Sequence, residues 1–183
     1  MDAIEALIGR VSPVRLALPG PSVEQLQELL VAGASAPDHG RMQPWRFIVI
    51  AGEARARFGE LMAQSLLRRE PMSPGAKLDA ERNKAMRAPV IIVAAAVIRE
   101  NPKVPAVEQT VAVGAAAQNM LLAAHAMGLG GFWRTGPVAY DAEVKQAFGL
   151  AATDAIVAIL YIGSVDQPGK ARVVDVDIVT RRW

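Results

Sequence analysis

The chain of 183 residues is long enough for one domain and too short for two, so a single domain over residues 1–183 is expected. It contains no cysteine and two histidines, which excludes disulfides, Fe–S clusters and thiolate nucleophiles and argues against a zinc site. The 20 basic and 18 acidic residues are scattered, so nucleic acid is not an expected main partner. The acidic N-terminus lacks the basic region and apolar run of an export signal, and we therefore expect a cytoplasmic location.

The first quarter of the chain predicts two helices and a strand. A short amphipathic helix covers Ala3 to Ile8, and the capping box Ser22 to Gln25 begins a second helix that stops near Pro37. Between the helices lies a polar, proline-marked loop, Arg10 to Pro21. The segment Trp45 to Ile50 is rich in residues that favour strands and predicts the first strand.

The middle of the chain alternates between helical and buried-strand patterns. Arg55 to Leu67 has helical spacing, whereas Arg68 to Lys77 is charged and interrupted by prolines and a glycine. That interruption predicts a mobile surface segment that could cover a site. Pro89 to Ile98 is a continuous apolar run of strand length, which predicts a strand buried on both faces. Sheet and helices are therefore expected to share one core.

The last part of the chain predicts a long apolar helix, a short helix and two strands. The long helix covers Val107 to Met127, and the uncharged stretch Val111 to Trp133 has the length of a membrane span. Its many alanines and glycines, without basic flanks, favour a helix buried against other helices or a partner subunit. Asp141 to Phe148 predicts a short helix, Ala155 to Ile162 a buried strand, and Arg172 to Val179 an edge or exchanged strand.

Three polar loops carry the residues that chemistry could use. In the first loop, Arg10 to Arg15, two guanidinium groups and a hydroxyl follow a helix end and can hold a phosphate or the polar edge of a planar ring. A helix C-cap with arginines near the helix dipole is the alternative. The second loop, Ala36 to Trp45, offers His, Arg and Gln donors to a bound heterocycle, although a histidine hydrogen-bonded to the backbone would give the same pattern.

The third loop, Gly130 to Pro137, permits close backbone approach to a flat ligand, and it also fits an ordinary helix-to-strand turn. It is not a dinucleotide fingerprint, because a helix precedes its glycines.

The order and content of the three loops resemble the nitroreductase family. The resemblance rests on Arg10-x-Ser12 after the first helix, on Ala36-Pro37 followed by Gln43-Pro44-Trp45-Arg46-Phe47, and on an apolar helix that ends Gly128-Leu129-Gly130-Gly131-Phe132-Trp133. It covers nearly the whole chain. The Ala-Pro-Asp-His-Gly-Arg form of the second loop is most similar to the compact subgroup of NAD(P)H nitroreductases.

This resemblance implies a fold, a cofactor and an assembly. The implied fold is an α+β three-layer sandwich with a central mixed or antiparallel sheet, formed as an intertwined homodimer with FMN at the subunit interface. The implied reaction moves hydride from NADH or NADPH to nitro compounds, quinones or related electron-poor acceptors by a ping-pong mechanism. No catalytic side chain is expected, because the flavin carries the chemistry.

The resemblance also assigns residues to the flavin. The expected cofactor-binding set comprises Arg10, Val11 and Ser12 on the polar side of the flavin, Ser35, His39, Arg41 and Gln43 from the second loop, and Trp133, Arg134 and Thr135 on the other side, contributed by the partner subunit. Arg41 is expected to favour the anionic reduced flavin, and Arg181 or Arg182 is expected to reach the FMN phosphate. Relatives commonly have a basic or polar residue at the positions of Val11 and Val14, and an asparagine at the position of Arg41.

Two other interpretations remain open. One is a flavin enzyme of the same fold with another task, such as enone reduction, dehalogenation or flavin breakdown, and the charged stretch 68–84 contains no residue that separates these tasks. The other is a non-catalytic FMN-binding or purely structural dimer. We favour catalysis, because the helices and the sheet explain folding without the three polar loops.

Overall fold

The computed structural model describes residues 2–183. Its elements are α1 (Ala3–Gly9), β1 (Arg15–Ala17), α2 (Val23–Ala34), β2 (Trp45–Ala51), α3 (Ala54–Arg69), α4 (Gly75–Asn83), β3 (Val90–Ala96), α5 (Ala106–Ala126), β4 (Gly130–Arg134), α6 (Ala142–Ala147) and β5 (Ala155–Gln167). Short 3₁₀ turns occur at His39–Arg41, Lys84–Met86 and Pro137–Tyr140. Within this described part of the chain, no helix is both long and apolar enough to cross a membrane.

Local sequence signals set several helix ends. The Ser22 hydroxyl accepts a hydrogen bond from the backbone N–H of Gln25 at the start of α2, as the predicted capping box requires. α5 ends just before Gly128, whose φ of 76° lies in the left-handed region that glycine adopts without strain. The long apolar helix and its end at Gly128 are therefore confirmed.

β3 lies at the centre of an antiparallel sheet. It pairs with β2 on one side and with β5 on the other. β5 is the longest strand and also pairs with β4 and, beyond it, with β1. All of β3 is buried, which confirms the prediction of a strand covered on both faces.

Alternating side chains of β3 separate two cores. Ile92 and the other even-numbered residues pack with α2 and α5, whereas Ile91 and Val93 pack with Phe58 of α3 and Val144 of α6. Helices therefore cover both faces of the sheet, and the predicted three-layer α+β sandwich is confirmed. Burial of each large aliphatic side chain contributes about 1.5–3 kcal/mol, so the two cores hold the sheet in place.

The segment 68–77, predicted to be an interrupted surface segment, is helical at both ends, and residues 70–74 form a mostly exposed break between the two helices. α3 continues to Arg69, and Pro74 immediately precedes α4. Proline is tolerated at a helix start, because the N–H that it lacks would have no partner there. Nε of Arg82 in α4 donates a hydrogen bond of 2.6 Å to Oε2 of Glu60 in α3, which ties the two helices together.

The C-terminal segment does not form the predicted edge strand within its own chain. Residues 172–179 form no strand in the described chain, and their side chains are exposed. A strand needs a neighbour to pair its backbone groups, and no sheet edge of the same chain lies alongside this segment. The pairing that was missed lies earlier, where β1 forms inside the predicted loop 10–21 and extends β5 to Gln167.

Candidate functional site

The first and third loops pack against each other. Gly130, at the start of β4, lies so close to the first loop that a Cβ on it would be 2.5 Å from Cδ2 of Leu16 and 3.0 Å from Cγ of Pro13. A side chain at this position would displace the side chain of Leu16. In the first loop, Nη1 of Arg10 donates a hydrogen bond of 3.5 Å to the hydroxyl of Ser12. The structure therefore brings together two of the three loops that the sequence predicts to carry the site.

The second loop has a tightly defined backbone. Gly40, Arg41 and Gln43 have positive φ values of 69°, 51° and 47°. The N–H of Gln43 donates a hydrogen bond of 2.7 Å to the carboxylate of Asp38, which closes the loop. Ser35 donates its hydroxyl hydrogen to the carbonyl of Val31 at 2.8 Å and caps the end of α2. The loop therefore holds its polar side chains in a fixed arrangement.

The first and second loops lie at opposite ends of α5. Nδ1 of His39 is hydrogen-bonded to Oε2 of Glu108 in the first turn of α5. At the other end, a Cβ on Gly9, next to the first loop, would lie 3.7 Å from Nε2 of His125 in the last turn. Glu108 and His125 are 17 residues apart, which corresponds to about 25 Å of helix. One chain therefore does not bring His39 and Arg10 into one site.

The third loop, which was expected to reach the flavin from the partner subunit, lies against the first loop of its own chain. Within one chain, the second loop is the one that is remote from the other two.

β4 presents its side chains to two different faces. Phe132 and Arg134 lie on the face of Tyr161, and the Arg134 guanidinium stands 4.5 Å over the Phe132 ring. Trp133 points to the opposite face, where its ring approaches Gly114 of α5. Thr135 follows the strand and lines a separate open cleft with Arg68 and Tyr140. The predicted Trp133, Arg134 and Thr135 are therefore adjacent in sequence but face different surroundings.

A cleft of about 410 Å³ opens where the first loop meets β4. This volume lies within the range of small-molecule sites. Its lining combines apolar side chains with hydrogen-bond donors: Pro13, Val14, Arg15, Leu16, Asn83, Met86, Arg87, Phe132, Arg134 and Tyr161. We call it the arginine cleft. Of the ten predicted cofactor-binding residues, Arg134 alone lines it among the described residues.

Several residues of the arginine cleft escaped sequence reasoning. Asn83 belongs to the charged stretch 68–84, Met86 and Arg87 lie between that stretch and β3, where no element was predicted, and Tyr161 lies in a strand that was predicted only as core. Asn83 is the last residue of α4, and Arg87 follows the next 3₁₀ turn. Their positions could have been found only by predicting α4. Tyr161 carried one signal, a polar group inside an otherwise apolar strand.

Comparison with known proteins identifies the family. The chain matches the family model for the nitroreductase family over residues 17–164, and it belongs to that family. It is 46% identical over 164 residues to "Putative NAD(P)H nitroreductase YdjA" of Escherichia coli K12, with 90% of this chain and 88% of the relative covered. It is 33% identical over 184 residues to a "Putative NAD(P)H nitroreductase" of Haemophilus influenzae, with 98% and 99% covered.

Solved structures agree in fold. A nitroreductase-like family protein from Bacillus cereus superposes with a TM-score of 0.86 at 23% identity, covering 100% of this chain and 96% of that one. The "putative nitroreductase in complex with fmn" from Desulfovibrio desulfuricans superposes with a TM-score of 0.77 at 26% identity, covering 100% and 98%. The family and the fold inferred from the three loops are both confirmed.

Proposed function

We propose that this chain is an FMN-dependent oxidoreductase that takes electrons from NADH or NADPH and passes them to nitro compounds, quinones or related electron-poor acceptors. The observation that carries the proposal is the meeting of the first loop and β4 at the arginine cleft, whose lining offers hydrogen-bond donors beside the apolar side chains of Leu16, Met86 and Phe132. Relatives named as NAD(P)H nitroreductases and a structural neighbour solved with FMN support it.

The donor set fits the chemistry of FMN. The flavin ring system carries carbonyl oxygens and ring nitrogens that accept hydrogen bonds, and its phosphate is an anion. Arg10 and Ser12 in the first loop offer a guanidinium fork and a hydroxyl for the polar side of the flavin, and the lining of the cleft adds Asn83 and Arg87. Because Gly130 has no side chain, β4 can pack directly against Pro13 and Leu16, which holds the two sides of the site together.

When bound, FMN supplies the ring that accepts and returns a hydride. The side chains of this chain hold and orient the cofactor, place positive charge beside its polar edge and keep one face open. Because nicotinamide and acceptor need the same open face, they occupy it in turn, which gives ping-pong kinetics. Ser35, His39, Arg41 and Gln43 complete the contacts from the second loop.

The separation of His39 from Arg10 leads us to propose a homodimer with shared sites. The second loop of one chain then meets the first and third loops of the other. Exposed apolar side chains surround these loops, including Ile4 and Ile8 of α1 and Val107 and Val111 of α5, which stand one turn apart. A contact between two copies would cover them.

The C-terminal segment has a matching place in such a dimer. β2 pairs with β3 alone, and its free edge lies beside an apolar groove that contains Ile48, Phe58 and Phe148. The exposed segment 172–179 alternates apolar and polar residues. We expect it to pair with the free β2 edge of the partner subunit, which would satisfy unpaired backbone groups of both.

The test is the visible spectrum of the purified protein before and after anaerobic addition of NADPH. We expect flavin bands that bleach on addition, and recovery of colour when a nitroaromatic acceptor is added. Arg10→Ala should lose bound flavin, whereas Arg99→Gln, an exposed arginine outside the three loops, should retain it. Protein that stays colourless with added FMN would overturn the proposal. Protein that binds FMN without oxidising NADPH would be a flavin-binding dimer instead.

A further inference from the structure

His39 and Glu108 form a side-chain link between the second loop and α5. Nδ1 of His39 is hydrogen-bonded to Oε2 of Glu108, which lies in the first turn of the helix. The Glu108 carboxylate has no other hydrogen-bond partner within residues 2–183. The acidic residue next to the histidine, Asp38, is already engaged, because its carboxylate accepts the N–H of Gln43 at 2.7 Å. Glu108 is therefore the acceptor that this arrangement leaves for His39.

The backbone around His39 is held against the start of α5. The next two residues, Gly40 and Arg41, have positive φ values of 69° and 51°. A Cβ on Gly40 would lie 3.2 Å from Cγ2 of Val104, so the loop packs against the segment that leads into the helix. With the backbone held in this way, the hydrogen bond to Glu108 restricts rotation of the His39 ring.

The same hydrogen bond decides which nitrogen of His39 carries the hydrogen. An ionised carboxylate only accepts hydrogen bonds, so Nδ1 must donate to it. Nε2 is then the nitrogen that is left for another molecule, and in the neutral ring it offers a lone pair. A neutral imidazole without such a partner can carry its hydrogen on either nitrogen. Glu108 therefore sets both the direction and the hydrogen-bonding character of this side chain.

The pair lies at an open cleft of about 390 Å³ between the second loop and α5. Val107, Val111 and Ala115 line the same cleft, and within one chain His39 and Glu108 are 56% and 44% exposed. An ion pair as exposed as this contributes little to the stability of a fold. Its position in the second loop, which the proposed dimer brings to the flavin, gives it a different use.

We propose that Glu108 is a positioning residue for the cofactor: it holds His39 in the Nδ1–H tautomer and directs Nε2 towards the bound flavin. This inference rests on the proposed function for the identity of the ligand, whereas the tautomer is a property of the chain itself. The competing explanation is that Glu108 serves only α5, because the partial positive charge at a helix N-terminus favours an acidic residue in the first turn.

Long-range proton–nitrogen NMR of the imidazole rings tests the tautomer without turnover. The chain has two histidines, so the spectrum of His125→Gln identifies the signals of His39. At about pH 8 we expect the Nδ1–H form in the wild type. Glu108→Gln should also populate the Nε2–H form, because a neutral amide can donate as well as accept. The Nε2–H form in the wild type, or the same tautomer in both proteins, would overturn the inference.

Glu24→Gln is the matched control, because it removes a glutamate from the first turn of another helix, α2. It tests the explanation based on the helix dipole and should leave the His39 tautomer unchanged. Far-UV circular dichroism confirms that each variant is folded.

Titration with FMN tests the consequence for binding. We expect Glu108→Gln to raise the Kd for FMN by roughly 2- to 10-fold, the effect of one hydrogen bond that is no longer correctly directed. Glu24→Gln should leave the Kd unchanged. The weaker binding of His39→Ala is measured at higher FMN concentrations, and adding Glu108→Gln to this variant should have no further effect. Glu108 acts through the imidazole ring, which that variant lacks.

These measurements separate the inference from the proposed function. A wild type that binds FMN, with an equal Kd in Glu108→Gln, would overturn the inference alone. Equal effects of Glu108→Gln with and without His39 would also overturn it, since Glu108 would then act on α5 or on the dimer. A wild type that binds no FMN would overturn the proposed function and the flavin role of the pair, while the NMR comparison would still decide whether Glu108 fixes the tautomer.

Discussion

Nη2 of Arg68 donates a hydrogen bond of 2.8 Å to Oδ1 of Asp141, and Nε donates a second one to the same carboxylate at 3.2 Å. The Asp141 carboxylate also accepts from the backbone N–H groups of Glu143 and Val144, as the N-cap of α6. One carboxylate therefore joins the end of α3 to the start of α6, next to the third loop.

This carboxylate predicts a pH dependence of stability. Burial alone would raise the pKa of Asp141, but hydrogen bonds from Arg68 and from the backbone N–H of Val144 outweigh it and lower the pKa from 3.8 to about 2. Because the folded pKa is depressed, the ionised group stabilises the fold above about pH 4, and this contribution is lost as the pH falls towards 2.

Asp141→Asn keeps a good N-cap residue but removes the charge, and we expect it to destabilise the fold by about 1–2 kcal/mol at pH 7. Asp141→Ala should cost about 1 kcal/mol more, because the cap is lost too. Urea unfolding at pH 7 and at pH 3 measures both. The difference between wild type and Asp141→Asn should shrink at the lower pH, and a constant difference would contradict the assigned role.

A glycine of α3 provides a second prediction. A Cβ at Gly59 would lie 2.6 Å from the backbone carbonyl oxygen of Arg82 in α4, whereas nothing lies within 4 Å of a Cβ at Gly75. Replacing a helical glycine with alanine normally stabilises by about 1 kcal/mol. For Gly59→Ala we expect the opposite, a loss of about 1–2 kcal/mol from overpacking.

Gly75→Ala is the matched control, and it should be neutral or slightly stabilising. Thermal unfolding of the two variants measures the difference, because a change of about 1 kcal/mol in the free energy of unfolding shifts Tm by roughly 2–4 °C in a domain of this size. Equal Tm shifts would mean that α4 does not pack on α3 as described.

Shared sites predict complementation between inactive variants. Arg10→Ala and His39→Ala should each lose flavin when expressed alone, since each damages every site. In a mixture that forms dimers at random, about a quarter of the sites would receive an intact first loop from one chain and an intact second loop from the other. Bound flavin and NADPH oxidation should recover to about that fraction.

Mixing His39→Ala with Ser35→Ala serves as the control for complementation. Both changes lie in the second loop, so every site retains a defect and no recovery is expected. Recovery in this mixture, or none in the first, would falsify the shared arrangement.

The C-terminal segment predicts a change of oligomeric state. If residues 172–179 pair with the β2 edge of the partner, Val176→Asp places a charge against the apolar groove and should weaken the dimer at least 10-fold, or about 1.4 kcal/mol. Asp177→Asn, next to it on the other face of an extended strand, should leave the dimer unchanged. Light scattering over a concentration series measures both, and an unaltered dimer in Val176→Asp would argue against the exchange.

The sequence predicted those elements whose signals are local. The capping box at Ser22 and the glycine after α5 define helix ends through short-range hydrogen bonds and backbone conformation, and both appear in the structure as expected. The apolar run of β3 likewise predicted a buried strand, because a strand covered by helices on both faces of the sheet has apolar residues at every position.

Features that depend on distant partners were missed. β1 is three residues long and forms because β5 lies beside it. The residues of β1 alone contain no strand pattern that would predict this pairing. Pro71, Pro74 and Gly75 do mark a break, because α3 ends at Arg69 and α4 begins at Gly75, but the second helix was not predicted. Asn83 is the last residue of that helix, so the arginine cleft could not be recognised before α4 was placed.

β5 has a consequence for the energetics of ligand binding. It pairs with β1 through one part of its length and with β4 through another, and it carries Tyr161 itself. The walls of the arginine cleft that β1, β4 and Tyr161 form are therefore all held by β5, which also pairs with β3. A ligand entering such a preorganised cavity loses little affinity to conformational ordering. Adjustment on binding should be confined to the wall that β5 does not hold, Asn83 to Arg87.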